Sequence, residues 1–274
     1  MQSSAALPQN RPMPTIDTSF GKIGYSELGS DGTRPIVFLH GVGSDKSVWA
    51  PQLDHFGQTR RAIAFDYPGY GESAPAPRGT TRDDYAAAIC EAMDALSVSH
   101  AHICGLSLGG VIAIALHHRE PGRCSSLILA DTFAVHPDGQ GIRDRGLEAS
   151  RTIGMRAMAQ QRTPFLVGQN ASLAVREEIV ETMARIDPRA FAIGLEAVWL
   201  ADQRDRLANI ALPTLVIVGD EDKPTPPALS EELAHAIAGA KLEIIEGAGH
   251  LTNLEKPAEF NRLLDRFLAE VEHC

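Results

Sequence analysis

The chain has 274 residues, of which 44% are hydrophobic and 22% are charged, and this composition is typical of a single globular domain with its own core. Its formal net charge at pH 7 is −10, which argues against the basic surface that nucleic acid or anionic lipid would require. Its longest apolar runs, such as Pro35–Leu39 and Leu212–Val218, are far shorter than the roughly 20 residues that cross a bilayer.

The N-terminal residues and the cysteines favour a cytoplasmic location. Residues 1–13 lack the basic start and the apolar stretch of a secretory signal, and their Pro, Gln, Asn and Ser content predicts a loose tail. Cys90, Cys104, Cys124 and Cys274 show no Cys-x-x-Cys spacing. We therefore expect four free thiols in a reducing compartment rather than disulfides or a metal site.

Short runs rich in Val and Ile alternate with longer helical patterns along the chain. Nearly continuous apolar runs of this length predict parallel strands that are covered on both faces. The predicted strands are Pro35–Leu39, Ala62–Phe65, Ala101–Cys104, Ser126–Ala130, Thr214–Val218 and Leu242–Ile245. This alternation predicts an α/β fold with a mostly parallel sheet flanked by helices.

Helices are predicted between these strands and at the end of the chain. In Thr81–Leu96, apolar residues recur at helical spacing, and Thr81 with Asp84 resembles a capping box. Val111–His118 follows the third predicted strand. Pro257–Val271 has one apolar face, and its proline suits a first helical turn.

The alternation stops between the fourth and fifth predicted strands. Residues 133–207 contain no strong strand run and instead predict the helices Arg151–Gln161, Ser172–Ile186 and Ala190–Leu200. An insertion at this place predicts a helical cap over an α/β core formed by residues 14–132 and 208–274.

The predicted cap differs in charge from the core. Residues 135–206 contain ten arginines and ten acidic residues, so the remainder of the chain carries the whole net charge of −10. These arginines could simply solvate the helices. Alternatively, one or two could bind an acidic group of a substrate, and Arg143, Arg151 and Arg156 are the candidates.

A glycine-rich segment, Gly105–Gly110, connects the predicted strand Ala101–Cys104 to the predicted helix Val111–His118. It contains the Gly-x-Ser-x-Gly pattern in the strand–turn–helix context that its chemistry requires. The turn must be sharp and its neighbours small, so that the serine hydroxyl stands exposed at a helix N-terminus. The pattern predicts Ser107 as a nucleophile; the alternative is an ordinary Gly/Ser turn.

A serine nucleophile needs an adjacent base, and the base needs an orienting carboxylate. His250 lies in a glycine-rich loop after the last predicted strand, at the sheet edge where catalytic groups of open α/β sheets gather. Asp222 follows the strand Thr214–Val218 and completes the chain order Ser, Asp, His. Asp220 and Asp131 are the alternative carboxylates.

A second glycine-rich turn, His40–Gly43, follows the first predicted strand. Such a turn can direct a backbone N–H at a developing oxyanion, and the residue after the nucleophile supplies a second donor. We therefore predict an oxyanion hole formed by the backbone N–H groups of Val42 and Leu108. The His40 side chain is predicted to be structural.

Five motifs in order resemble those of the α/β-hydrolase superfamily, from about Thr15 to the end of the chain. They are His40-Gly41, Asp66-Tyr-Pro-Gly-Tyr-Gly-Glu-Ser73, Gly105–Gly109, Gly219-x-x-Asp222 and Gly249-His250. Within the superfamily, the chain is most similar to 3-oxoadipate enol-lactonases and small carboxylesterases. This similarity rests on Ala101–Gly110, Gly154–Met158, Asp222–Pro227 and Gly249–Pro257. The chain departs from these relatives at Leu108. In the Gly-x-Ser-x-Gly turn of such enzymes, the nucleophile elbow, this position is frequently Met.

The resemblance implies a serine hydrolase that cleaves a small carboxylic ester or lactone through an acyl-enzyme, without a metal or other cofactor. Its expected partner is a small-molecule substrate, with no nucleic acid and no membrane. On the same fold, the alternatives are a carbon–carbon bond hydrolase, a perhydrolase or an acyltransferase. Because a fold does not fix a function, a ligand receptor with slow turnover is a further alternative.

Overall fold

The computed structural model describes residues 14–273. Its strands are β1 (Thr15–Thr18), β2 (Gly21–Leu28), β3 (Ile36–Leu39), β4 (Ala62–Phe65), β5 (Ala101–Leu106), β6 (Cys124–Ala130), β7 (Thr214–Gly219) and β8 (Lys241–Ile245). Its α-helices are α1 (Ala50–Phe56), α2 (Arg82–Ala95), α3 (Leu108–Arg119), α4 (Gly139–Thr152), α5 (Gly154–Leu166), α6 (Leu173–Arg185), α7 (Pro188–Trp199), α8 (Arg204–Leu207), α9 (Pro227–Ala236), α10 (Thr252–Glu255) and α11 (Pro257–Glu272). Short 3-10 helices occupy Lys46–Trp49 and Pro121–Arg123.

The eight strands form one sheet in the order β1-β2-β4-β3-β5-β6-β7-β8. The pairs β1–β2 and β2–β4 are antiparallel, and all other pairs are parallel. Parallel strands place their carboxyl ends at one edge of the sheet, where ligands of open α/β sheets bind. The carboxyl ends of the six parallel strands, β3 to β8, therefore bring six loops together at this edge.

The six predicted strands are confirmed as β3 to β8, with ends that shift by at most two residues. Four of them, β3, β4, β5 and β7, are buried along their whole length, which explains their continuous apolar runs. The sequence did not predict β1 and β2. These two strands lie at the antiparallel edge of the sheet and are only partly buried, so their side chains are mixed in polarity.

Helices on both faces of the sheet complete the core. The predicted capping box of α2 is present: the Thr81 side chain accepts from the Asp84 N–H, and the Asp84 carboxylate accepts from the Thr81 N–H. The last helix, α11, buries Phe260, Leu264 and Phe267. Apolar side chains of these helices and of the sheet pack together in a single core.

The helices α4 to α8 lie between β6 and β7, within the predicted cap, residues 133–207. The predicted helix Arg151–Gln161 is wrong as drawn, because it crosses the boundary between α4 and α5. Gly154 has φ +76° there, a conformation that ends a right-handed helix. The function of this segment as a cap stays a prediction.

None of the helices within residues 14–273 combines the length and the apolarity needed to cross a membrane. Cys90, Cys104 and Cys124 are free and buried, as predicted, and burial raises the pKa of the Cys90 and Cys124 thiols to about 12. The predicted N-terminal tail, residues 1–13, and Cys274 lie outside the described residues.

Candidate active site

Ser107 occupies a strained turn between β5 and α3. Its backbone has φ 56° and ψ −114°, a conformation that costs a non-glycine residue about 1–3 kcal/mol. The turn is held by a hydrogen bond from the Ser107 N–H to the Ala130 carbonyl, at 2.9 Å. The serine directly precedes α3, whose first turn points its N–H groups toward the sheet edge.

The glycines around Ser107 are required by close backbone contacts. A Cβ atom on Gly105 would lie 2.1 Å from the Gly109 carbonyl oxygen. A Cβ atom on Gly109 would lie 2.0 Å from the Leu39 carbonyl oxygen at the end of β3. Both distances are below any van der Waals contact, so the Gly-x-Ser-x-Gly pattern is a steric condition for the elbow as predicted.

Ser107, His250 and Asp222 form one buried chain of hydrogen bonds. The Nε2 atom of His250 lies 3.0 Å from Ser107 Oγ, and its Nδ1 atom lies 2.9 Å from Asp222 Oδ2. A carboxylate at Nδ1 favours the tautomer in which Nδ1 holds the proton and Nε2 is free to accept one. The geometry therefore equips the imidazole to deprotonate the serine hydroxyl.

Asp222 is itself held in place by the turn that follows it. The backbone N–H of Thr225 donates to Asp222 Oδ1 at 2.9 Å, and the Thr225 hydroxyl donates to Asp222 Oδ2 at 2.7 Å. The same hydroxyl oxygen lies 3.1 Å from His250 Nδ1. Thr225 thus contacts both members of the pair, a positioning role that the sequence analysis did not anticipate.

The two alternative carboxylates have other contacts. Asp131, at the end of β6, accepts from the Thr252 hydroxyl at 2.6 Å and from the Gly219 N–H at 3.2 Å. Asp220 is exposed and accepts from the Gly247 N–H at 2.7 Å. Asp222 is the carboxylate that hydrogen-bonds to His250.

Asp131 is nevertheless part of the same buried neighbourhood. It has no exposed surface, and burial together with the charge of Asp222 raises its pKa well above the ordinary value. Its φ of 48° makes it a second strained non-glycine residue at this edge. A carboxyl group with a raised pKa is neutral over a wider pH range, which limits the negative charge next to Asp222.

The loop that carries His250 is fastened to the predicted cap. The His250 N–H donates to the Leu166 carbonyl at the end of α5, at 2.7 Å. The Glu255 carboxylate accepts from the N–H groups of Gly168 at 2.7 Å and Gly249 at 3.0 Å. The predicted cap and the loop that carries His250 therefore share hydrogen bonds. Glu255 is a second positioning residue that the sequence did not indicate.

The pKa of His250 results from opposing effects. Burial alone would lower it, but the charge and the hydrogen bond of Asp222 outweigh burial and raise it above 6.5. The positive charge of Arg162 acts in the opposite direction and lowers it. A base of this kind gains activity as pH rises through its pKa.

The predicted oxyanion donors lie beside Ser107. Val42 follows β3, and Leu108 is the first residue of α3. Within residues 14–273, neither backbone N–H donates a hydrogen bond to a protein acceptor. Both donors are therefore available to a ligand, and their role in stabilising an oxyanion stays a prediction.

His40 supports the turn that carries Val42. It is fully buried, its Nδ1 atom lies 2.8 Å from the Gly41 carbonyl, and its ring packs 4.3 Å from that of Tyr67. Burial lowers the pKa of His40 to about 4, so the ring is neutral near pH 7. These contacts agree with the structural role that the sequence predicted.

A small chamber adjoins Ser107 and His250. Its volume is about 40 Å³, and Ser107, His250 and Arg162 line it with a mostly apolar wall. The apolar side chains include Val42, Leu106, Leu166, Ile179, Met183 and Phe191. We call this cavity the inner chamber.

A larger groove lies outside the inner chamber. Its volume is about 820 Å³, and it shares Arg162, Trp199 and Pro224 with the inner chamber. We call it the outer groove. The three shared residues form the boundary between the two spaces.

The three arginines predicted to bind a substrate do not line the inner chamber. Arg143 lies 2.8 Å from Asp144 and 3.9 Å from Glu196. Arg156 forms an exposed ion pair with Glu181 at 2.6 Å, and Arg151 is exposed on α4. The structure brings Arg162, not these three, to Ser107. Its position four residues before the end of α5 carried no distinguishing sequence signal.

Within residues 14–273, no cluster of three or more His, Cys, Asp or Glu side chains is placed to hold a metal ion. The groups that the structure gathers around Ser107 are one imidazole, carboxylates, two backbone donors and one guanidinium. This set can transfer protons and stabilise negative charge.

The chain is similar in sequence and structure to several proteins that are named as hydrolases or lactonases. The chain is 28% identical over 248 residues to 3-oxoadipate enol-lactonase 1 from Acinetobacter baylyi, covering 89% of this chain and 92% of that one. It is 32% identical over 282 residues to 2-hydroxymuconate semialdehyde hydrolase from Pseudomonas sp. CF600, covering 97% of both chains. The enol-lactonase structure from Burkholderia xenovorans LB400 matches with a TM-score of 0.87 and 30% identity, over 93% of this chain and all of that chain.

The resemblance to 3-oxoadipate enol-lactonases is thus confirmed as a similarity. A sequence profile described as the alpha/beta hydrolase family matches residues 36–263, which include the elbow, Asp222 and His250. The predicted fold class is confirmed by this match and by the eight-stranded, mostly parallel sheet. The chain therefore belongs to the alpha/beta hydrolase family.

Proposed function

We propose that this protein hydrolyses small carboxylic esters or lactones through an acyl-enzyme on Ser107. The observation that carries the proposal is the buried chain from Asp222 through His250 to Ser107, with distances of 2.9 and 3.0 Å. The similarity to enol-lactonases supports the same substrate class.

In the first half of the reaction, Ser107 Oγ attacks the substrate carbonyl carbon while His250 Nε2 takes the hydroxyl proton. The negative charge that forms on the carbonyl oxygen is stabilised by the N–H groups of Val42 and Leu108. When the tetrahedral intermediate collapses, the protonated His250 gives its proton to the leaving alcohol oxygen. For a lactone, that oxygen remains attached to the acyl chain.

In the second half, a water molecule attacks the acyl carbon and gives its proton to His250. Collapse of the second intermediate returns that proton to Ser107 and releases the carboxylic acid. Asp222 keeps the imidazole oriented and stabilises its charged form throughout, and Thr225 keeps Asp222 in place.

The test is turnover of a substrate panel together with covalent labelling. The panel contains p-nitrophenyl acetate, linear esters, lactones and enol-lactones, with a 1,3-diketone to detect cleavage of a carbon–carbon bond. We expect many turnovers per enzyme on an ester or lactone, and a fluorophosphonate adduct on Ser107. A single turnover would favour a ligand receptor, cleavage of the diketone alone would favour a carbon–carbon bond hydrolase, and an adduct on another residue would contradict the mechanism.

A further inference from the structure

Arg162 is placed where the inner chamber meets the outer groove. It lies on α5, lines both cavities, and shares this boundary with Trp199 and Pro224. Its Nη1 atom would lie 3.5 Å from a Cβ atom built on Gly146 of α4. The guanidinium group therefore lies beside α4, within van der Waals distance of this position.

Arg162 differs from the other arginines of residues 135–206 because it is partly buried and yet has no partner among the described residues. Six of the ten form ion pairs, Arg176 donates to backbone carbonyls, and Arg151 and Arg189 are exposed. Arg162 is partly buried, and within residues 14–273 it forms neither an ion pair nor a hydrogen bond. This is unusual in a chain where 35 acidic residues outnumber 25 lysines and arginines.

The lack of a partner affects the pKa of Arg162. Burial lowers the pKa of the Arg162 guanidinium, and no acidic group offsets this effect. A buried cation without a counter-ion is unfavourable unless a ligand supplies the missing charge. The wall of the inner chamber is otherwise mostly apolar, and Arg162 is the side chain in it whose charge has no counter-ion and can bind a carboxylate.

The acidic residues near Ser107 make such a group necessary for an anionic substrate. Asp222 hydrogen-bonds to His250, and Glu255 lies close enough to His250 for the histidine charge to act on the pKa of Glu255. Together with the net charge of −10, these groups repel a carboxylate that approaches the chamber. A guanidinium can offset that repulsion, and its planar donors match a carboxylate in a bidentate pair.

We propose that Arg162 binds a carboxylate of the substrate and so selects esters or lactones that carry a free acid group over neutral ones. This inference rests on the proposed hydrolase function and adds the substrate class. The carboxylate would lie at the boundary of the two cavities, while the ester or lactone carbonyl lies in the inner chamber beside Ser107. The outer groove provides space for the remainder of a longer substrate.

The test compares two esters that differ in one charge. They are the mono-p-nitrophenyl ester of adipic acid and the same compound methylated at its free carboxyl group. For Arg162→Met, we expect kcat/KM for the acid to fall about 10- to 150-fold through KM, the range of one charged hydrogen bond. On the plateau above the rising limb of the pH profile, kcat/KM for the neutral ester should change less than about twofold, because this substrate loses no charged contact.

Arg156→Met is the matched control, because Arg156 lies on the same helix and pairs with Glu181 at the surface. It should leave both substrates unchanged. An equal loss for both esters in Arg162→Met, or no loss for either, would overturn the proposal. Arg162→Lys keeps the charge without the planar fork, and we expect it to recover part of the preference for the acid.

The pH profile of the neutral ester gives a second readout. Since the charge of Arg162 lowers the pKa of His250, Arg162→Met should move the rising limb to higher pH. If the variant fails to fold, the wild-type protein still tests the proposal. Adipate should then inhibit hydrolysis of the neutral ester competitively, and its neutral diamide should not; equal inhibition by both would overturn it.

These outcomes separate the two proposals. Turnover of the neutral ester, with no preference for the acid and no inhibition by adipate, would leave the acyl-enzyme mechanism in place and remove only the role of Arg162. Absence of turnover together with no labelling of Ser107 would instead remove the proposed function.

Discussion

The carboxyl edge of the sheet and the helices α5 to α7 both line the inner chamber, but they do so under different constraints. At the sheet edge, Ser107, Asp222 and His250 follow strands whose register fixes where each loop begins. Short turns and close glycine contacts leave these side chains little freedom. On the helices, no local sequence pattern distinguishes one arginine from another. Tertiary packing alone determines which of them faces the inner chamber.

Local sequence patterns therefore identify functional groups whose position depends on a strand end. They do not identify groups whose position depends on which face of a helix packs against the site. The elbow motif includes its own structural conditions, a strand, glycines and a helix. An arginine in a helical segment has no such local pattern around it that would indicate its function.

The largest effect is expected for Ser107→Ala. Removal of the attacking oxygen should lower kcat on the order of 10⁵–10⁶-fold, leaving only the contribution of the remaining polar groups. The melting temperature should change little, because one hydroxyl is lost. Steady-state kinetics and thermal unfolding together measure this, and retention of more than a tenth of the turnover would exclude Ser107 as the nucleophile.

Asp222→Asn should lower kcat by about 10⁴-fold, because an amide at Nδ1 favours the wrong imidazole tautomer. Asp131→Asn is the matched comparison, since asparagine tolerates the positive φ at that position. Its amide would place a donor against either the Thr252 or the Gly219 N–H, which should cost about 1–3 kcal/mol of unfolding free energy.

For Asp131→Asn we therefore expect the main loss in stability and for Asp222→Asn the main loss in activity. Urea unfolding and kinetics on both variants separate the two effects. If Asp131→Asn were the variant with the larger loss of kcat, the orienting acid would have to be reassigned to the end of β6. Asp220→Asn should affect activity least of the three, since the Asp220 carboxylate is exposed and accepts a hydrogen bond from Gly247 rather than from His250.

The activity of the wild type should rise with pH along one limb with a midpoint above 6.5. The reason is that Asp222 raises the pKa of His250, and only the neutral imidazole can accept the serine proton. The limb is measured as kcat/KM for a neutral ester between about pH 5 and 9. A flat profile would contradict a histidine base, and a midpoint well below 6.5 would contradict the influence of Asp222.

The smallest effects are expected for the arginines that the sequence first indicated. Arg151→Ala and Arg143→Ala should each change KM for the acid-bearing ester less than about twofold, because exposed or already paired charges contribute little. The measurement is the same pair of esters used for Arg162. A selective increase in KM for the acid in Arg151→Ala would return the carboxylate site to α4.

The sequence by itself determined the strand–helix alternation, the α/β class and the identity of the elbow. It also indicated Asp222 and His250, because both lie in short loops that follow predicted strands, a buried one before Asp222 and a partly exposed one before His250. It missed β1 and β2, since strands at a partly exposed edge do not show a continuous apolar run. It misplaced the boundary between α4 and α5, where Gly154 interrupts a pattern that is otherwise helical.

Only the tertiary structure decided among the carboxylates and among the arginines. Asp222, Asp131 and Asp220 all follow strands, and the distance of 2.9 Å to His250 distinguishes the first from the others. Arg162 is distinguished by its place between two cavities, and Thr225 and Glu255 by contacts with residues distant in sequence. These assignments depend on long-range packing, whereas motif and periodicity describe only what neighbours along the chain impose on one another.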